Sequence, residues 1–595
     1  MSSDGDKKRP SPSPAPTKVD ETTGSQPTSS TVGEIPKQAH TLTISASAVF
    51  GTSLVVQILG LIATVIFNKT INTTDTGRAM VGTVQLFLII GTSISGIGDL
   101  RLGTAYSYFL ARGQPASALT STYLLLRLTM VASAGLLLFV IAPISVGGSQ
   151  LVSNSTEWTS LGVFVSLPIL WTFSTVYNAL YVGEGNSLRA QYPSLVEAVI
   201  RLPLLIYVAF FWPTILGLTV AYTIGAAASA VYSVTGVSRR LHRFQRSEAR
   251  RMFRFAWPLM GSLLLNYLVT NMIPLVVNRG LGAGELNIFL FANGWRILIL
   301  SVPAAITTPL FPYLAGQHKK GDFESVRRGT WQALRYAAML LVPAVIALVT
   351  YRSVLLNVLG NGAYVVASTP LALLVIGALP LSFSQIIQSS INAIGRQRLE
   401  LYITSAQVVV LFAIVFAFMY PTGILPKSDG LVVGSAAVLA SSIAAFAINA
   451  YFMETLIRVH IHPRSIVAIT LSAAGAFEVI SQFNRYLPHG RYYELAAGIV
   501  LGFLIYCALM LAIGEITRED VRRVGRSLSL PDWLIRLFER LCWRETAPDL
   551  APIDLARAPG LRQAEFPETF TGDPELPQIL PLPTDVDLEE ESKPP

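Results

Sequence analysis

From about Leu42 to Ile516 the chain alternates long apolar runs with short polar loops. A membrane-spanning helix needs about 20 mainly apolar residues, and about fourteen stretches meet that requirement. In the first half they lie near 42–67, 80–99, 120–145, 158–181, 190–210 and 214–236. In the second they lie near 255–277, 287–312, 331–350, 365–392, 399–420 and 429–454, followed by two more near 463–483 and 493–515. The halves begin alike. Gly51-Thr52-Ser53-Leu54 leads to Asn68-Lys69, and Gly261-Ser262-Leu263-Leu264 leads to Asn278-Arg279. Related membrane halves that face each other are a common way to build a transport cavity. The pattern predicts an all-α integral membrane protein of about 14 transmembrane helices, with two six-helix bundles around a central cavity plus two extra C-terminal helices.

The same pattern divides the chain. Residues 1–40 are rich in Ser, Pro and Thr and read as a disordered cytoplasmic tail. Residues 41–237 form the first bundle, 238–254 a basic cytoplasmic linker, 255–456 the second bundle and 457–516 the extra pair of spans. Within 517–546, Leu534, Leu537, Phe538 and Leu541 share one helical face opposite Arg536 and Glu539, as in a helix lying on a membrane surface. Residues 547–595 are acidic and Pro-rich and read as a second disordered tail.

Composition agrees, with 52% hydrophobic and only 13% charged residues, about half the charge of a soluble domain. The formal charge of +8 would suggest nucleic acid in a soluble protein. Here the cations gather in alternate loops: Arg101 and Arg112, the run Arg239, Arg240, Arg243, Arg246, Arg250, Arg251 and Arg254, then Lys319, Lys320, Arg327 and Arg328, Arg396 and Arg398, and Arg458 and Arg464. Positive loops stay on the cytoplasmic side, so both termini are expected there, in a multi-pass cell-membrane protein that does not bind nucleic acid. On the other side Asn68, Asn72 and Asn154 match the glycosylation acceptor pattern. Cys507 and Cys542 are too few for a disulfide framework and lie in no metal-ligand spacing, so neither metal nor cofactor is expected.

Charges inside spans are costly and face a partner or a cavity. The candidates are Arg127, Glu197, Arg201 and Arg296, with Asp99 and Arg101 at the end of the second span. Glu197 and Arg201 are four residues apart, as in a structural ion pair. Arg296 has no acid within a helical turn and is the better candidate for a ligand contact. Among the amides, Gln57, Asn266, Asn271, Gln385 and Gln388 suit either a polar lining or helix-to-helix bonding. Pro258, Pro274, Pro303, Pro309 and Pro312 mark the seventh and eighth spans for kinks. There is no GxxxxGK[ST] phosphate loop and no long external loop to hold a catalytic site, so an enzyme is not expected.

Several stretches resemble the polysaccharide and lipopolysaccharide flippases of the MATE-like multidrug/oligosaccharidyl-lipid/polysaccharide exporter superfamily. Ile66-Phe67-Asn68-Lys69 followed by Asp75-Thr76-Gly77 is similar to that family's first helix and the turn after it. Leu355–Tyr364 resembles its apolar-Gly-x-x-Tyr loop, and Gln388–Arg396 its small-x-Gly-basic helix exit, with an echo at Asn178–Asn186. The likeness covers roughly residues 40–515. The turn Gly284-Glu285-Leu286-Asn287 departs from the pattern, and no span is rich in cations. The resemblance implies alternating-access export of a polyprenyl-(di)phosphate-linked oligosaccharide for surface glycan synthesis, with membrane lipids and polysaccharide-assembly proteins as partners. Arg296, Arg127, Arg201 and Arg101 would then contact the anionic headgroup, with Glu197 or Asp99 balancing charge or coupling to an ion. A cation-coupled drug antiporter of the same architecture should carry more acids than arginines in its spans. A membrane glycosyltransferase or ligase should carry an external catalytic loop.

Overall fold

The computed structural model describes residues 34–111, 114–141, 155–184, 186–242, 244–419, 427–459, 463–484, 492–518, 520–522 and 531–542. Most of both tails, and Asn154, lie outside them. The first half comprises α1 (Glu34–Thr70), α2 (Asp75–Ile97), α3 (Leu102–Ala111), α4 (Ala116–Ile141), α5 (Ser155–Gly183), the short α6 (Ser187–Ala190), α7 (Tyr192–Phe211) and α8 (Ile215–Val237). The second comprises α9 (Arg246–Leu281), α10 (Ala283–Lys319), α11 (Phe323–Thr350), the short α12 (Arg352–Leu359), α13 (Ser368–Ala393), α14 (Arg398–Met419) and α15 (Lys427–Phe452). After these come α16 (Pro463–Asn484), α17 (Tyr492–Ile513) and α18 (Asp532–Leu541). Among the described residues, 14 helices are long and apolar enough to cross a membrane. Helix α1 starts at Glu34, inside the stretch whose composition suggests a tail, and Pro36 sits in its first turn, where a missing N–H costs no helical bond.

Local chemistry sets the helix ends. Thr74 and Thr214 cap α2 and α8, each side chain accepting a bond from the backbone N–H three residues on, and Asp322 does the same for α11. Within the spans, buried hydroxyls bond the carbonyl one turn back, as Thr172 does to Pro168 at 3.0 Å and Ser435 to Leu431 at 2.8 Å. They satisfy themselves where no water is available.

The packing repeats. In the first half α1 packs on α7, α2 on α5, α4 on α5, and α5 and α7 both on α8. In the second, α9 packs on α14, α10 on α13, α11 on α13, and α13 and α14 both on α15. Replacing α1, α2, α4, α5, α7 and α8 by α9, α10, α11, α13, α14 and α15 maps one set onto the other. The halves also exchange partners, since α1 and α2 rest on α10 while α9 rests on α2. Both leading helices therefore lie at the junction between the halves.

The extra pair leans on the second half, α16 against α11 and α17 against α16. Buried Arg335 of α11 fastens the segment after α17: it donates to Asp520 Oδ2 at 3.0 Å and to the Glu515 backbone carbonyl, and Ser465 of α16 donates to the Glu515 carboxylate at 3.1 Å. Burial alone would raise the Asp520 carboxyl, but Arg335 and bonds from Thr517 and Tyr336 hold it below its usual range. Helix α18 follows with Trp533, Leu537, Phe538 and Leu541 exposed, and Glu539 is paired to Arg522 at 3.0 Å.

Candidate functional site

Loop contacts sort the molecule into two sides. Arg101 meets Glu400, Arg240 meets Glu184, and Arg327 meets the Ile457 carbonyl, all at loops or helix ends on the basic side. Asn68, Asn72 and Arg78 meet Asn361 and Asn287 on the opposite side.

On the basic side α2 breaks. Leu100 and Arg101 both adopt left-handed backbone angles, φ 42° and 61°, uncommon for residues with a Cβ and a local cost that the surroundings must sustain. What sustains it is Asp99. Its Oδ1 accepts from Arg127 Nη1 and from the Tyr123 hydroxyl, each at 2.5 Å. Arg127 Nη2 donates to the Ser95 carbonyl at 3.2 Å, to Ser95 Oγ at 3.0 Å and to Thr175 Oγ1 at 3.1 Å. With its side chain 2% exposed, Arg127 ties α2, α4 and α5 together. From the same turn Arg101 reaches across to Glu400 Oε1 of α14 at 3.5 Å, and Glu400 Oε2 accepts from Asn392 at 3.2 Å. Tyr267 of α9 closes the group: a Cβ on Gly96 would lie 1.4 Å from its hydroxyl oxygen, so the tyrosine ring lies over the glycine where a larger residue would displace it.

A second charged pair sits inside the first half. Arg201 Nη1 donates to Glu197 Oε1 at 2.6 Å, and Trp171 donates to Glu197 Oε2 at 3.2 Å. The guanidinium carbon lies 5.3 Å from the centre of the Tyr222 ring. Beside the pair is a cavity of about 60 Å³ lined in part by Thr64, Gln85, Arg201 and Tyr222.

Arg296 stands apart on α10. It donates to Asn293 Oδ1 of its own helix at 3.3 Å, its Nε is buried without a partner, and no carboxylate pairs with it among the described residues. The four arginines singled out from sequence therefore fall in three places: Arg127 and Arg101 around Asp99, Arg201 with Glu197, and Arg296 alone. Glu400 and Arg335 escaped the sequence reading. Glu400 looks like an ordinary acid in a helix's first turn, although an acid within a strongly basic loop was a usable signal. Arg335 lies only a few residues into its span and resembles a loop cation.

On the opposite side the halves are joined by amides. Asn361 Nδ2 donates to the carbonyls of Asn68 at 3.1 Å and Asn72 at 2.9 Å, and Asn72 donates to Asn68 Oδ1 at 2.8 Å. Asn68 and Lys69 reach the carbonyls of Leu359 and Asn357. Asn287 donates to the Tyr364 hydroxyl at 3.2 Å and to the Arg78 carbonyl at 3.4 Å. Two motifs distant in sequence, Asn68-Lys69 and the loop 355–364, thus form one clasp. A Cβ on Gly82 would lie 1.8 Å from the Ala283 carbonyl oxygen, so α2 and α10 touch backbone to backbone here. Asn68 and Asn72 are 0% and 1% exposed, which withdraws both as glycosylation acceptors in this conformation.

A family described as "Polysaccharide biosynthesis protein" matches residues 112–369. Agl15, a probable low-salt glycan biosynthesis flippase of Haloferax volcanii, is 19% identical over 304 residues, 51% of this chain and 62% of that protein. The chain thus spans less than two thirds of that relative's length. Among solved structures, the lipid II flippase MurJ in an inward closed conformation superposes with a TM-score of 0.63 at 12% identity, covering 78% of this chain and 98% of MurJ. A multidrug resistance MATE family transporter in an inward-facing conformation gives 0.53 at 13%, covering 68% and 94%. At such identities the structural likeness concerns the fold. The fold is the one seen in these multi-pass membrane transporters. The family match and the flippase relative are likenesses over part of the chain, residues 112–369 for the family and 304 residues for Agl15.

Proposed function

We propose that this protein moves a polyprenyl-(di)phosphate-linked oligosaccharide across the cytoplasmic membrane by alternating access between its two halves. A sugar-diphosphate headgroup cannot enter hydrocarbon without losing its hydration, at a cost of roughly several kcal/mol or more. A guanidinium inside the protein can replace that water with charge-assisted bonds. The observation that carries the reading is Arg296, a cation on a junction helix whose polar partners among the described residues include no acid. A permanent charge at such a place in a membrane is suited to an anionic ligand.

The other charged groups take graded parts in this reading. Arg101 is the second contact, released when its pairing with Glu400 opens. Arg127 and Arg201 can join only by leaving Asp99 and Glu197, so those two acids serve as charge balance. Positive loops on the cytoplasmic side put both termini inside, and proteins that assemble the glycan would receive the product outside. Antiport of a cationic drug is the weaker reading, because each intramembrane acid of the candidate set is already paired with an arginine.

The test is translocation of lipid-linked oligosaccharide in proteoliposomes, paired with rescue of surface glycan in cells lacking the gene. Arg296→Gln should reduce translocation at least about tenfold, the loss of one charge-assisted contact, while Arg296→Lys retains part of it. Full transport by Arg296→Gln would overturn the proposal.

A further inference from the structure

The first turns of α9 carry a row of cations that the transport reading does not use. Arg246, Arg250 and Arg254 recur every fourth residue and so line one face of the helix, about 6 Å apart along its axis. All three are exposed, and none is paired with a carboxylate among the described residues. Their neighbours are engaged: Arg251 lies over the Phe109 ring, 4.6 Å from its centre, and Arg240 pairs with Glu184 at 3.1 Å. On the opposite face of these turns Ala249 is buried, and Met252 and Ala256 belong to a core shared with Leu102, Tyr106, Phe109 and Tyr177 of the first half. The cation row is therefore held in a fixed orientation, facing away from the protein.

Two features give it a partner. The helix runs without interruption into the span Met260–Leu281, which sets the row at the height of a membrane surface. Between row and span stands Trp257, 75% exposed, a residue type suited to the headgroup layer. Guanidinium groups bind phosphate oxygens in bidentate fashion, and cations just outside a span attract anionic lipid. We propose that Arg246, Arg250 and Arg254, with Trp257 beneath them, form a binding surface for the phosphate headgroups of anionic phospholipids in the adjacent leaflet. The surface requires only that the chain span a membrane, so it stands or falls apart from the substrate assignment. Because α9 packs on the first half at this end and on α14 and α15 beyond it, lipid held here would sit on the helix that joins the two halves.

The test uses the full-length protein in mixed phosphatidylcholine and phosphatidylglycerol nanodiscs, with retained lipid counted by mass spectrometry. Wild type should enrich phosphatidylglycerol, increasingly so at low salt. The triple variant Arg246→Gln/Arg250→Gln/Arg254→Gln should lose about tenfold in apparent affinity. A control that also removes three exposed cations on that side, Lys319→Gln/Lys320→Gln/Arg328→Gln, should behave as wild type. Quenching by interfacially brominated phosphatidylglycerol should be weaker in Trp257→Phe. Equal enrichment by wild type and the triple variant would overturn the proposal, as would equal loss in the control. Displacement of the lipid by millimolar inorganic phosphate would reassign the row to soluble anions and overturn it too.

Discussion

On the side of Asn68 and Asn361 the polar contacts between the two halves are neutral amides and backbone carbonyls beside a glycine contact, whereas on the side of Arg101 and Glu400 the polar contact is a partly exposed ion pair beside the apolar packing of the first turns of α9. The difference is one of burial. Amide bonds shielded from water are directional, insensitive to salt, and costly to leave unmade. An ion pair open to solvent contributes about 0–1 kcal/mol and weakens as salt rises. If the halves rock against each other, the ionic seam should part more easily, and the amide clasp should set the barrier to opening the other way.

The strongest way to break the comparison is steric. Gly82→Leu places a side chain where the Ala283 carbonyl already stands, and backbone there cannot yield without separating α2 from α10. Transport should fall more than about tenfold, and a cysteine at position 361, in a background lacking Cys507 and Cys542, should react readily with an impermeant maleimide. Unchanged labelling would show that the seam does not depend on this contact.

Next in size is the network beneath the ionic seam. Arg127→Gln leaves Asp99, only partly buried at 20% exposure, without its main partner, at a cost below the about 3–5 kcal/mol of a fully buried pair, seen as a lower unfolding midpoint. Adding Asp99→Asn should recover part of the loss. If Arg127→Gln instead unfolds like wild type but fails to transport, Arg127 acts on substrate rather than on the scaffold.

Asn361→Ala removes two bonds that join the halves, worth about 1–3 kcal/mol together. It should shift the population toward the conformation open on that side, read from maleimide reactivity at position 69. The smallest effect belongs to Glu400→Gln, about 0–1 kcal/mol, which should favour opening on the basic side at low salt and become indistinguishable from wild type at about 1 M salt. An effect of Glu400→Gln larger than that of Asn361→Ala would reverse the comparison.

Much of this architecture was legible beforehand because a bilayer leaves few choices. A backbone in hydrocarbon must bond within its own helix, so apolar length alone located the spans, and the parallel between Gly51–Lys69 and Gly261–Arg279 anticipated the packing repeat. The i, i+4 spacing of Glu197 and Arg201 anticipated their pairing, since both residues lie on one helix. The isolation of Arg296 was legible for the same local reason. Asp99 and Arg127 were recognised singly, but their union was not, because it depends on how α4 packs against the break after α2. The amide clasp was less visible still: Asn68 and Asn72 carried a glycosylation signature, and nothing local marks an asparagine as buried.

By itself, then, the sequence determined the apolar helices, their number and which loops carry the cations, because each follows from the hydrophobicity or charge of neighbouring residues. Tertiary structure decided which charges are neutralised and which stay available. Arg127 meets Asp99, Arg335 meets Asp520, Arg101 meets Glu400, and Asn361 meets Asn68. Each of these contacts depends on the distance between side chains on different helices, which no local pattern encodes, and from them Arg296 emerges as the intramembrane cation of the candidate set without an acid.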